Sequence, residues 1–298
     1  MRLSRRLERI LALTRGGGTA ADIGTDHGYA AIELVRRGIC PRVIACDIRQ
    51  GPLSRAQEHI HAAGLSGQIE TRLGDGLERV APGEAQTLLI AGMGGPLMAS
   101  ILERGTETAQ AAEELILSPQ SDLGAFRRYL LTHGYRIEAE EALEEDGKYY
   151  VILRAAPGWE ALWEEEEELV YGRNLLRKGD PLLRRRLERE IVRDRALLVR
   201  LAAAGTQRSQ ERSREIREAL TLAERALARM PGEETGETKE ERGGEGGTGY
   251  GRDRDTACGS AASGAGGHGT GAAGTGLSEA GRAGYRTGSG QWKAAGIT

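Results

Sequence analysis

A chain of 298 residues, 39% of them apolar, is long enough for one or two domains with a substantial core. Its three cysteines, Cys40, Cys46 and Cys258, have neither C-x-x-C spacing nor a histidine in a ligand pattern, which argues against a disulfide framework and a metal site and for a cytoplasmic setting. The net charge of −3 averages unlike regions: residues 173–230 carry sixteen Lys and Arg against eight Asp and Glu, whereas residues 231–298 hold 21 of the 44 glycines.

The first residues, M-R-L-S-R-R-L-E-R-I-L-A-L-T-R, place Leu3, Leu7, Ile10 and Leu11 on one helical face and the arginines mostly elsewhere. Glu8 and the lack of a continuous apolar run argue against a secretory signal, and no run approaches the length of a membrane span. The helix is expected to pack on the domain and to turn its arginines to solvent or to a phosphate. Short apolar runs then predict strands at 19–23, 43–47, 69–73, 87–91, 115–118, 135–141 and 149–154. Helical patterns alternate with them, so the expected class is α/β, a mostly parallel sheet flanked by helices. Asp146-Gly147-Lys148 between the last two runs predicts an antiparallel edge pair.

The first strand runs into T-A-A-D-I-G-T-D-H-G-Y, residues 19–29, an acidic turn with glycines at 24 and 28. Open α/β sheets bind ligands beyond the carboxyl ends of their strands, where glycine lets backbone approach the ligand. The central glycine of the G-x-G-x-x-G fingerprint is replaced by Asp26, which repels a pyrophosphate and suits a cation. With Asp22 just before the turn, this favours S-adenosylmethionine over a nicotinamide dinucleotide; a turn used only for packing is the alternative. Asp47 ends the second strand, where a carboxylate accepts both hydroxyls of a ribose, and Gly74-Asp75-Gly76 follows the third, where an acid accepts from the amine of adenine.

The fourth strand leads into Ala91-Gly92-Met93-Gly94-Gly95-Pro96, whose glycines leave bare backbone beside the methyl donor for a flat base, with Met93 lining the pocket. A glycine-rich entry to a helix starting at Pro96 is the plainer alternative. Ser118-Pro119-Gln120 is expected to form the opposite wall. His27 either bonds a base, shuttles a proton or is simply held in its turn.

Beyond Pro157 and Gly158 the pattern is helical alone. Residues 164–168 form an acidic run expected to be a solvated helix face. Asp180 is expected to cap a helix that begins at Pro181. Leu183, Leu187, Ile191, Asp194, Leu198 and Leu201 form one seam, and Ile216, Leu220, Ala223, Leu227 and Met230 a second, which together predict an antiparallel hairpin. Its surplus positive charge suits a polyanion, or is a solvated face. Residues 231–298 are expected to be disordered.

Taken together, L-S-R-R-L at 3–7, A-D-I-G-T-D-H-G-Y at 21–29, G-D-G-L at 74–77, I-A-G-M-G-G at 90–95 and E-E-D-G-K-Y-Y at 144–150 resemble the bacterial tRNA (adenine-22-N1)-methyltransferase family. The resemblance covers about residues 1–230. It implies a Rossmann-like class I methyltransferase domain over 1–156, a coiled-coil hairpin over 157–230 that binds tRNA, and a tail over 231–298 with no family counterpart. It further implies S-adenosylmethionine as cofactor. On the matching positions, Asp22, Gly24, Asp26, Gly28, Tyr29, Asp47, Asp75, Gly76, Ala91, Gly92 and Met93 hold the cofactor, and Asp26, His27, Gly94 and Gly95 position the target adenine. Where the family tends to show L-Q-P-N, this chain has Leu117-Ser118-Pro119-Gln120. Two other functions fit the same residues: a methyltransferase for a small molecule or protein, and a non-catalytic RNA-binding protein.

Overall fold

The computed structural model describes residues 3–204 and 206–232, and the glycine-rich tail, with Cys258, lies outside the described residues. Seven strands form one sheet: β1 (Thr19–Ile23), β2 (Arg42–Asp47), β3 (Ile69–Leu73), β4 (Thr87–Ala91), β5 (Glu114–Ser118), β6 (Tyr135–Glu145) and β7 (Lys148–Pro157). Their spatial order is β3-β2-β1-β4-β5-β7-β6. The first five are parallel, and β7 runs antiparallel between β5 and β6. The β6–β7 connection turns on Asp146 and Gly147, both at positive φ (51° and 72°), as a tight hairpin turn requires.

Strand period sets the two cores. Leu88 and Ile90 of β4 and Leu115 and Leu117 of β5 face one layer, while Leu89 and Ile116 face the other. The second layer is built on α1 (Arg5–Leu13), α2 (Tyr29–Arg36) and α3 (Gln50–Ala62). The first is built on α4 (Gly95–Arg104), α5 (Thr106–Gln110) and α6 (Leu123–Thr132). It continues without interruption into Leu183, Leu187, Ile191, Ala223, Ala226 and Met230. These residues belong to the C-terminal hairpin of α8 (Pro181–Ala204) and α9 (Gln207–Arg229), entered through a π-helical turn (Glu168–Gly172) and α7 (Arg173–Arg177).

Asp180 caps α8 as expected: its Oδ1 accepts the amides of Leu182 and Leu183 at 3.1 and 3.0 Å. The seam is buried at its root and half-buried at Leu198 and Leu201. The acidic run departs from expectation. Glu167 is only 1% exposed and meets Arg225 and Arg229 of α9 at 2.8 and 3.4 Å, while Glu165 pairs with the same two arginines at 2.9 and 3.0 Å. The run is therefore a clamp on the base of the hairpin and not a solvated face. Deeper still, Arg127 of α6 and Glu140 of β6 form a fully buried pair at 2.7 Å. Arg127 also donates to the Leu169 and Val170 carbonyls of the π-helical turn, at 2.7 and 2.9 Å.

Candidate active site

The carboxyl ends of β1 to β4 lie side by side, and the chain crosses the sheet between β3 and β4, so the loops leaving these strands share one crevice. The chain leaves β1 through Gly24, Asp26 and Gly28, at φ 77°, 50° and 74°. The amides of Gly24 and Thr25 both donate to the Cys46 carbonyl at 2.9 Å, tying the turn to β2. A Cβ on Gly24 would be strained at that φ and would come within 2.3 Å of Met93 Cε. Bare backbone at Gly24 thus keeps open a cavity of about 660 Å³ between the β1 turn, the ends of β2 and β3, the Ala91–Met93 segment and helix α1.

Asp22 and Asp47 form the floor, and both are 5% exposed. Thr25 Oγ1 donates to Asp22 Oδ2 at 2.6 Å, and Asp47 accepts the Arg49 and Asp26 amides at 2.9 and 3.3 Å. Burial pushes the Asp22 carboxyl up to about 6, against the hydrogen bonds from Thr25 and a backbone amide, and the charge of Asp47 adds to the rise. Among the described residues, the floor's cationic contact is the largely exposed Arg49, 4.0 Å from Asp47. The floor therefore holds two close carboxylates without an internal counter-ion at bonding distance, an arrangement that a cationic ligand relieves.

The other expected residues take different places. Asp26 stands at the rim, its side chain 59% exposed, 3.5 Å from His27 Nε2 and 3.9 Å from Arg55. Asp75 lines the wall already paired with Arg104, at 2.5 and 3.2 Å, which holds its carboxyl below the usual range. His27 stacks on Tyr29, centroids 5.5 Å apart, and Tyr29 on His59 at 5.1 Å, so an aromatic stack borders the mouth. Gly76, Ala91, Gly92 and Met93 line the cavity. Cys46 lines it too, but burial pushes its thiol up to about 12, which removes it as a nucleophile at neutral pH.

Gly28, Gly94 and Gly95 are not brought to the cavity wall. A Cβ on Gly28 would sit 3.2 Å from Ala56 Cβ, so that glycine serves the packing of α2 on α3. A Cβ on Gly95 would come within 2.7 Å of the Ser121 carbonyl, and one on Gly94 within 3.0 Å of Ser121 Oγ. Those two let the start of α4 approach the loop after β5, and of the glycines in this loop it is Gly92 that lines the cavity. Of the Ser118-Pro119-Gln120 wall, Gln120 lines the cavity.

Arg6, Leu7 and Ile10 of α1, with Ser4 that caps it, also line the cavity, so the first helix is its lid. Acidic side chains of β6 hold that lid: Glu145 accepts the Arg5 amide, and Arg9 and Arg15 pair with Glu141 and Glu138 at 3.7 and 3.0 Å. The arginine-rich start and the glutamate-rich stretch 138–145 are the sequence signal for this closure. Among the described residues, no group of three or more His, Cys, Asp and Glu is placed to hold a metal ion, and no helix is long and apolar enough to cross a membrane.

A sequence profile of the family described as "Methyltransferase domain" matches residues 3–153. The tRNA (adenine(22)-N(1))-methyltransferase of Bacillus subtilis is 39% identical over 158 residues, which span 53% of this chain and 66% of that relative. The crystal structure of the B. subtilis m1A22 tRNA methyltransferase TrmK superposes with a TM-score of 0.66 at 30% identity, covering 76% of this chain and 99% of that one. TrmK of M. capricolum, solved with the cofactor product S-adenosyl-homocysteine, superposes at 0.67 with 26% identity, covering 78% of this chain and all of that one.

Proposed function

The chain belongs to the methyltransferase-domain family and, within it, to the bacterial tRNA (adenine-22-N1)-methyltransferases, and from that premise we propose that it transfers a methyl group from S-adenosylmethionine to N1 of adenine 22 in tRNA. The observation that carries the proposal is the cleft itself, where two buried acids, with no counter-ion closer than 4.0 Å among the described residues, share one cavity with the bare backbone of Gly92.

Asp22 and Asp47 fit the cofactor's cationic and ribose ends, and Gly24 and Gly76 give it backbone clearance. Asp75, neutralised by Arg104, is free to accept from an amine through its remaining lone pairs. When bound, S-adenosylmethionine supplies an electrophilic methyl group on a cationic sulfur. With the donor held there, the N1 lone pair of adenine, unprotonated at neutral pH, would form the new N–C bond, the C–S pair staying with sulfur and the positive charge passing to the adenine. No proton has to be removed, so a cleft without a general base at its centre is sufficient. What the protein supplies is alignment and exclusion of water under the α1 lid. The target must leave its stack to reach the cleft, and the flat opening at Gly92 admits it.

The hairpin is the tRNA-binding module in this proposal. Arg200, Arg208, Arg214 and Arg217 are exposed, and among the described residues their guanidinium groups are not engaged with a carboxylate, which leaves their charge for a phosphate backbone. The working compartment is the cytoplasm, where tRNA and reduced thiols such as buried Cys40 and Cys46 coexist. Incubation with methyl-labelled cofactor and bulk tRNA, followed by nucleoside digestion, tests the function. Label in 1-methyladenosine is expected, and its absence with protein that binds the cofactor would refute the assignment.

A further inference from the structure

Two polar side chains of the cavity to which no part in holding the cofactor has been given, Arg6 and Gln120, converge on one corner. Gly92, at the carboxyl end of β4, has φ 81° and no side chain. A Cβ there would lie 3.8 and 4.0 Å from the two Nη atoms of Arg6 and 3.9 Å from Nε2 of Gln120. Arg6 reaches the corner from the α1 lid, and Gln120 from the loop after β5. Both are braced: the Arg6 guanidinium lies 5.1 Å over the Tyr150 ring and its backbone amide donates to Glu145 at 3.4 Å, while the Gln120 backbone amide donates to the Met93 carbonyl at 2.9 Å. Their polar ends remain available. Unlike Arg9 and Arg15, whose charges are met by Glu141 and Glu138, Arg6 has no carboxylate partner among the described residues, and the Gln120 carboxamide has no hydrogen-bond partner among them.

An adenine that presents N1 to a methyl group turns its Watson–Crick edge toward the donor. The adjoining edge, with the N6 amino group and N7, is left for the protein to read. A carboxamide matches that edge, since its oxygen accepts from N6–H and its NH₂ donates to N7. Guanine places O6 where N6 would be and sets acceptor against acceptor. A guanidinium beside the carboxamide, without a carboxylate to neutralise it, suits a phosphate oxygen. We infer that Gln120 and Arg6 recognise the target nucleotide, Gln120 through the N6 and N7 edge of the adenine and Arg6 through its phosphate. The inference rests on the tRNA adenine N1 activity proposed above.

The test uses tRNA carrying 7-deazaadenosine at the target position, which replaces N7 by C–H, compared with ordinary tRNA. Wild type, Gln120→Ala, the near-isosteric Gln120→Glu and Arg6→Ala are assayed as full-length proteins, with S-adenosylhomocysteine affinity measured in parallel. Gln120→Ala is expected to lose about tenfold or more in kcat/KM on ordinary tRNA, the scale of a bidentate base contact. The altered ring chemistry acts on every enzyme alike, so the ratio of ratios isolates the contact. The handicap of 7-deazaadenosine relative to adenosine is therefore expected to be about tenfold larger for wild type than for either Gln120 variant. Arg6→Ala is expected to lose activity equally on both tRNAs and to lower the salt slope of log kcat/KM by about one. Affinity for S-adenosylhomocysteine is expected to hold in all three variants.

An equal 7-deaza handicap in wild type and in both Gln120 variants, or a loss of S-adenosylhomocysteine affinity that matches the loss of activity, would overturn the inference alone. Wild-type enzyme that binds S-adenosylhomocysteine but methylates no tRNA adenine would overturn the underlying assignment together with it.

Discussion

At the floor of the cleft, Asp22 and Asp47 are buried and, among the described residues, have no cation closer than Arg49 at 4.0 Å, whereas at the root of the hairpin Glu167, buried as deeply, is met by two arginines of α9. The 2.8 Å approach of Arg225 to Glu167 Oε2 is an ion pair without hydrogen-bond alignment, so charge proximity holds it. Arg127 and Glu140 nearby complete a root in which every buried acid has its cation within the fold. The contrast separates two uses of one residue type. An acid whose counter-ion the fold provides is a cross-link between elements, and an acid left without one carries a penalty that an outside cation removes. The rise of the Asp22 carboxyl to about 6 is that penalty expressed as protonation.

The sharpest way to break the comparison is at the root. Arg127→Met strands a buried carboxylate, and the expected loss is about 3–5 kcal/mol in a denaturant titration. Arg127→Met combined with Glu140→Met should recover much of it, and cofactor affinity of the folded protein should not change. In the cleft the sign reverses. Burial raises the Asp22 carboxyl from its ordinary value of 3.8 to about 6, so its contribution to stability is full below 3.8 and is lost as pH rises through about 6. Asp22→Asn should therefore raise the stability of the ligand-free protein at pH 7 by about 3 kcal/mol, with little gain at pH 4, while weakening cofactor binding about tenfold or more. Thermal melts at the two pH values check the first part, and calorimetry the second.

Smaller effects mark the edges of both regions. Asp26→Asn should cost the cofactor only about two- to threefold in affinity, because that carboxylate stands exposed at the rim. A loss as large as that of Asp22→Asn would move Asp26 into the binding floor. Glu165→Ala removes only exposed pairs and should change stability by less than about 1 kcal/mol, well below the effect of truncating Arg127.

Much of this was legible in the sequence, for identifiable reasons. The five parallel strands are short apolar runs closed by turn residues, and each was anticipated to within a residue of its observed start. Strands β6 and β7 run several residues past the expected 135–141 and 149–154 because their polar ends pair with each other and need no apolar cover. The floor acids were legible because an acid at the end of a β strand is a local feature. The partners of an acid are not local. Nothing between 164 and 168 announces that Arg225 and Arg229, some sixty residues on, fold back against the run. Nor does the G-D-G stretch announce that Arg104 neutralises Asp75. The lid shows the same limit: an arginine-rich amphipathic helix is visible in sequence, but that Arg6, and not Arg5 or Arg9, turns into the cleft depends on how β6 holds the helix.

The claim that the cleft acids are kept for a cationic cofactor is tested most directly by measuring S-adenosylmethionine affinity as a function of pH for wild type and Asp22→Asn. Binding a cation favours the ionised carboxylate, so wild-type affinity should rise as pH is raised from 5 through about 6, with proton release on binding below that value, and then level off. Asp22→Asn should bind weakly with a flat profile over the same range. Equal affinity and an unchanged pH profile in the two proteins would contradict the account.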